Sequence, residues 1–295
     1  MEQQSMLWSA SETNKYLYRQ LRTLAETHGF VVSPKQSKTL IRIREHHIQM
    51  IWVEIAYGAT DFNMLVAPTA SFSKALFARR RITPRRSNDD AQQYNWYTRL
   101  AIPDKVSAKK LYRAEELQKT WEAVIGPQAE REIFAYFDAF DFAKFAWLTQ
   151  NHKDGVLSLC LNPGNADALQ FLAMAHNAIW MGNYGETIPL LKQAIAGEEK
   201  WLRNSVKFGF DDPKDTVSHL KDRDAAKDLV TIIEGKANGW EAALVDKLRQ
   251  LEKDAAELVY GVAVDENGKT IRVKKKQKTS QLVKKGKEVA INGES

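Results

Sequence analysis

Residues 166–195 constrain this chain more than any other stretch. They read as two short amphipathic helices joined by Gly182-Asn183-Tyr184. The first puts Leu169, Leu172, Ala173, His176 and Trp180 on helical spacing, and the second carries Ile188, Leu191, Ala194 and Ile195. Neither helix is long enough to hold in isolation, so the pair must bury its apolar side against neighbours. Such a pair is a scaffold for contacts rather than a reaction centre.

At 295 residues the chain can bury a sizeable core and is expected to form two domains. No apolar run approaches the roughly 18–20 residues that span a bilayer. Met1-Glu2-Gln3-Gln4-Ser5 has neither the basic stretch nor the apolar core of a signal peptide. The single cysteine, Cys160, excludes an intrachain disulfide, which points to the cytoplasm. The net charge of +6 resides at the end of the chain. From Val262 onward nine Lys/Arg stand against four Asp/Glu, whereas the first 261 residues hold 34 basic and 33 acidic side chains. A basic tail either gathers nucleic acid or an acidic partner by long-range attraction, or simply solvates a disordered end.

Ser9-Ala10-Ser11-Glu12 forms a capping box for a helix that places Tyr16, Leu17, Leu21 and Leu24 on one face, with Gly29 at its end. Strand signals follow at Phe30–Ser33, Thr39–Arg44, Ile48–Tyr57 and Phe62–Ala67, with a turn over Gly58–Asp61 and a stop at Pro68. The third of these is apolar on both faces, the pattern of a central, doubly covered strand. Tyr94–Ile102 returns to strand character. Ala108–Ile125 and the aromatic-rich Gln128–Thr149 then read as helices. The second half is helical to about Leu258, broken at Gly209–Pro213 and Gly235–Gly239. A hairpin follows around Asp265-Glu266-Asn267-Gly268.

The helix pair resembles a tetratricopeptide repeat. Asn162-Pro163 lies where such repeats close the preceding unit, Gly182-Asn183-Tyr184 sits at the inter-helix turn, and Ala194 takes the small position late in the second helix. Phe171 stands where that family favours Trp. Pro189 falls early in the second helix, where proline is accommodated only within the first turn. The resemblance implies a concave interaction surface. Residues 12–150, with a helix, a strand meander and long closing helices, look like small bacterial α+β domains of immunity or defence type. Proteins of that type act by binding another protein.

Several groupings suggest chemistry and fail on spacing. Six residues intervene between Gly261 and Gly268-Lys269-Thr270, where a phosphate loop needs four. His46 and His47 are adjacent, so on a strand they face opposite sides and cannot share an ion with Glu45, Glu54 or Asp61. Cys160, among Leu157, Leu159 and Leu161, reads as a buried structural thiol. The Glu-x-Lys unit at Glu198-Glu199-Lys200 lies at a helix end, not on the strand that a metal-dependent nuclease requires. Asp138 and Asp141 share one helix face, either as an acid–base pair or as a solvated edge. The cluster Arg79, Arg80, Arg81, Arg85 and Arg86 is suited to gripping phosphates or carboxylates, with Trp96 and Tyr97 near enough in sequence to stack bases.

These readings give an α+β chain. An antiparallel β-meander with flanking helices occupies 1–150, a tetratricopeptide-like α-helical domain 151–258, a small β-hairpin 259–276 and a disordered basic tail 277–295. The expected function is non-enzymatic docking of another protein through Phe171, His176, Trp180 and Tyr184. The alternative is a nucleic-acid-associated factor that uses Arg79, Arg80, Arg81, Arg85 and Arg86 with Lys274, Lys275 and Lys276. No cofactor, metal or membrane contact is expected.

Overall fold

A computed structural model describes residues 7–56, 59–72, 112–151, 163–209 and 213–273. The chain is mixed helix and strand: an N-terminal antiparallel sheet with flanking helices, a helical bulk and a C-terminal hairpin. Strand β1 (Leu7–Trp8) leads into α1 (Ala10–Thr27), and the predicted capping box closes that helix. Ser9 Oγ accepts from the Glu12 backbone N–H, and the Glu12 carboxylate accepts from the Ser9 N–H at 2.7 Å. Tyr16, Leu17, Leu21 and Ala25 form its buried stripe.

Strands β2 (Val31–Val32), β3 (Thr39–Arg44), β4 (His47–Ala56) and β5 (Ala59–Pro68) make one antiparallel sheet in that order. Every residue from His47 to Ile51 is buried, as a doubly covered strand requires. The β4–β5 ladder runs from His47↔Pro68 to Ala56↔Ala59. Ala59–Asp61, expected in the turn, therefore belong to β5, because cross-strand pairing continues to within two residues of the reversal.

Strand β6 (Tyr112–Arg113) pairs with β1 and opens a continuous helical run: α2 (Ala114–Thr120), α3 (Gly126–Ala129) and α4 (Ala135–Asp138), linked by π-type turns at Trp121–Ile125 and Glu130–Phe134. Two separate helices were expected here, divided near Pro127. The widened turn before Pro127 accommodates a residue that has no N–H to donate, and the run passes through it. The break falls instead at Ala139–Asp141, after which α5 (Phe142–Asn151) begins. The expected strand at Tyr94–Ile102 and Cys160 lie outside the described residues.

Helices α6 (Pro163–Trp180), α7 (Tyr184–Phe208), α8 (Pro213–Gly235) and α9 (Trp240–Ala255) follow. Helix α7 runs past the repeat-like stretch to the expected break at Gly209 and continues through Pro189, which sits beyond its first turn. The carbonyl that Pro189 leaves without a donor is that of Gly185, an exposed residue whose backbone is open to water. Gly197 sets the closeness of the pair: a Cβ there would stand 2.7 Å from the Ala168 Cβ.

Helix α6 is apolar on two sides because it serves two cores. Leu169 and Ala173 join a cluster with α1, the sheet and the aromatics Phe134, Phe137, Phe140 and Phe145. Leu172, Ala175 and Ile179 join another with α7, α8 and α9. The chain then returns to the first cluster through a π-type turn (Ala256–Tyr260) and a hairpin of β7 (Val262–Val264) and β8 (Thr270–Arg272). Thr270 Oγ1 accepts from the Ile43 N–H at 2.8 Å, and Ser33 Oγ donates to the Tyr260 carbonyl at 2.8 Å. Gly261 permits this docking. Its φ of +69° is left-handed, and a Cβ would stand 2.5 Å from Pro34 Cγ. Among the described residues no helix is long and apolar enough to cross a membrane.

Candidate anion-binding groove

The four helix residues expected to face a partner turn out to be engaged within the fold. His176 is 4% exposed, with neither ring nitrogen hydrogen-bonded, and burial holds its pKa down at about 3. It is a neutral core side chain, because α6 is covered on both sides. Trp180 stacks on His46 with centroids 3.7 Å apart and donates from Nε1 to Glu252 Oε1 at 2.9 Å. Phe171 and Tyr184 are half-buried in the helical core, and Tyr184 meets Trp240 edge-on at 5.0 Å. The other expected site residues, Arg79, Arg80, Arg81, Arg85, Arg86, Lys274, Lys275 and Lys276, lie outside the described residues.

The histidines and acids weighed for chemistry are dispersed. His46 Nδ1 lies 3.1 Å from Glu252 Oε1, while His47 is buried beside Phe140 and Phe145. Burial, aided by Arg44, His46 and Arg42, holds the His47 pKa down at about 3. Glu198 is fully buried, and its Oε2 lies 2.6 Å from Nδ1 of His219, whose ring stacks on Trp201. Among the described residues no group of three His, Cys, Asp or Glu side chains could hold a metal ion. Lys269 and Thr270 belong to the hairpin, where Asp265 Oδ1 accepts from the Asn267 and Lys269 N–H groups.

One concave surface gathers charge. An open groove of about 950 Å³ lies between the end of α1, strands β2 and β3, the end of α4, and β8. Arg22, Arg42, Arg44, Lys269 and Arg272 line it, against only Glu26 and Asp138. Arg22 pairs with Glu26 at 2.8 Å, and Arg42 with Asp138 at 2.8 Å. Lys269 and Arg272 have no ion-pair partner among the described residues. The groove is therefore electropositive, and its low-dielectric walls concentrate the field.

Arg42 is the unusual member. Mid-strand in β3, it is only 9% exposed. Nε donates to Gln49 Oε1 on β4, its register partner, at 2.8 Å. Nη1 donates to the His28 carbonyl and to Asp138 Oδ1, each at 2.8 Å. Its guanidinium lies 4.7 Å from the Phe30 ring centroid. Nη2 has no hydrogen-bond partner. Burial pulls the guanidinium pKa below its ordinary value, and the bond and charge of Asp138 oppose that shift. Nη2 is sealed from solvent as well as unpartnered, so the guanidinium takes an oxyanion bidentately only when Asp138 leaves Nη1.

Sequence reasoning missed this site. Thr-Leu-Ile-Arg-Ile-Arg over residues 39–44 reads only as a strand rich in β-formers. Strand parity carried no signal: residues 39–43 are buried on both faces, and Arg44, on the same face as Arg42, is exposed. Asp138 was noted only for its spacing from Asp141, but Asp141 instead accepts from the Lys144 N–H. No known protein family matches the chain, and neither does any curated protein or solved structure.

Proposed function

We propose that this chain acts by binding, docking an acidic segment of a partner protein in the Arg42 groove. The supporting observation is the groove itself: five basic side chains against two acidic ones, with Lys269 and Arg272 unpaired among the described residues. Its volume of about 950 Å³ exceeds what a lone anion fills and suits an extended peptide. Its walls mix guanidinium groups with Val31, Val32, Ile43 and Ile271. Phe30, the one aromatic lining residue, is buried under Arg42 and offers no platform for a nucleobase. That favours carboxylates over single-stranded nucleic acid. Helix α6 joins the core that carries the groove's strands through Leu169 and Ala173.

The test is fluorescence anisotropy with labelled hexaglutamate and with a single-stranded oligonucleotide of equal charge, across a salt series. The reading predicts that hexaglutamate binds, that binding weakens as salt rises, and that Lys269→Glu/Arg272→Glu abolishes it. Oligonucleotide binding that exceeds peptide binding would favour the nucleic-acid alternative.

A further inference from the structure

Asp138 already presents a carboxylate to the groove's cations, and its manner of doing so is incomplete. Oδ1 accepts from Arg42 Nη1 at 2.8 Å and lies 3.8 Å from Arg44 Nη1, while Oδ2 lies 3.5 Å from His28 Nδ1. Asp138 thus engages Arg42 through one nitrogen and leaves Nη2 without a partner. It cannot take both nitrogens of the fork while its second oxygen faces His28. Asp138 also closes the helical run that begins at Ala114, so it stands at the helix end where a negative charge is disfavoured. Its side chain is 48% exposed, so water can solvate the carboxylate if it leaves Arg42.

We infer that Asp138 is an internal stand-in for the ligand, and that a partner's Asp or Glu carboxylate displaces it from Arg42. This rests on the groove being the docking site. Nη2 is sealed from solvent while Asp138 is in place, so the incoming carboxylate first replaces Asp138 on Nη1 and then reaches Nη2 through the space that Asp138 vacates, which adds one charge-assisted hydrogen bond to a buried cation. Arg44 follows, since its side chain is exposed and its second contact is only the Asp138 carbonyl at 3.3 Å. Lys269 and Arg272, which also line the groove, attract neighbouring acids of the same segment. The arrangement discriminates: an isolated or weakly acidic ligand must compete with Asp138, whereas a run of carboxylates also gains the free cations.

The experiment is calorimetric titration of hexaglutamate into the full chain and into Asp138→Asn, with Asp138→Ser as a second variant and thermal melting as the check on folding. Asparagine keeps an oxygen acceptor for Arg42 Nη1 but removes the competing charge. The inference predicts tighter binding in both variants, by about tenfold, with wild-type affinity lost in Lys269→Glu/Arg272→Glu. Unchanged or weaker binding in folded Asp138→Asn overturns the displacement while leaving the groove as the docking site. No binding by wild type or by either Asp138 variant overturns the groove reading as well. A parallel titration with inorganic phosphate separates the sources of the oxyanion, and phosphate that outcompetes hexaglutamate overturns the carboxylate assignment.

Discussion

Arg42 and Asp138, 96 residues apart, are joined by a 2.8 Å hydrogen bond that ties the middle of the sheet to the end of the long helical run. The same guanidinium holds Gln49 on the next strand and the carbonyl of His28 at the end of α1. One side chain thus fixes three elements around the groove and furnishes its buried donor.

Replacing Arg42 by Ala should cost stability beyond the loss of one ion pair. It leaves Gln49 Oε1 without its donor and uncovers Phe30. The expected loss is about 3 kcal/mol, measured by urea denaturation with far-UV circular dichroism. A loss within the ±0.5 kcal/mol typical of surface changes would remove Arg42 from its structural role.

Acid should unfold the chain through its buried histidines. His47 and His176 are both held down at about 3 in the folded state, against an ordinary value near 6.5. Depressed folded-state values mean that the unfolded chain takes up the protons first. The contribution is fully present above about pH 6.5 and falls as pH drops from there toward about 3, by up to about 1.4 kcal/mol per pH unit for each histidine. Stability measured at intervals from pH 7 to 4 should show this slope, and His176→Leu should make it shallower. Stability that is flat over that range would contradict neutral burial of these rings.

Gly261→Ala should be strongly destabilising. It forces a side chain into a left-handed conformation and puts its Cβ 2.5 Å from Pro34 Cγ, so the backbone or the proline must shift. About 2 kcal/mol or more is expected, read as a fall in melting temperature, with the hairpin amides exchanging faster than the rest. Unaltered exchange at Thr270 would show that the hairpin does not depend on this turn.

Trp180→Phe separates an internal role from a docking role. The change removes the donor to Glu252 but keeps a ring to stack on His46. Stability should fall by about 1–2 kcal/mol, while hexaglutamate affinity stays within twofold of wild type. A stable variant with lost affinity would restore Trp180 as a contact residue.

The legible parts of the fold were those set by local chemistry. The Ser9–Glu12 box, the doubly apolar β4, the breaks near Gly209 and Gly235 and the Asn267-Gly268 reversal each depend on residues a few positions apart. The continuation through Pro127 was not legible, because a widened turn depends on what surrounds the proline, whereas the helix through Pro189 was read as such. The candidate site was hidden for a related reason. Arg42, Asp138 and Lys269 come from a strand, a helix end and a hairpin that only the fold brings together. The aromatic and histidine residues of α6 misled in the opposite direction. A helix serving two cores places side chains on every face, so helical spacing alone did not separate buried from exposed.

The most direct test of the central claim is an amide and arginine side-chain NMR map of isotope-labelled full-length protein titrated with hexaglutamate. The account predicts that the largest shifts fall on Arg42, Arg44, Asp138 and Lys269–Arg272, with the Arg42 guanidinium resonances moving as its second nitrogen gains a partner. Shifts confined to the exposed apolar residues Val206, Phe208 and Val217 at the far end of α7 and the start of α8 would contradict it, and would move the docking surface to the helical half of the chain.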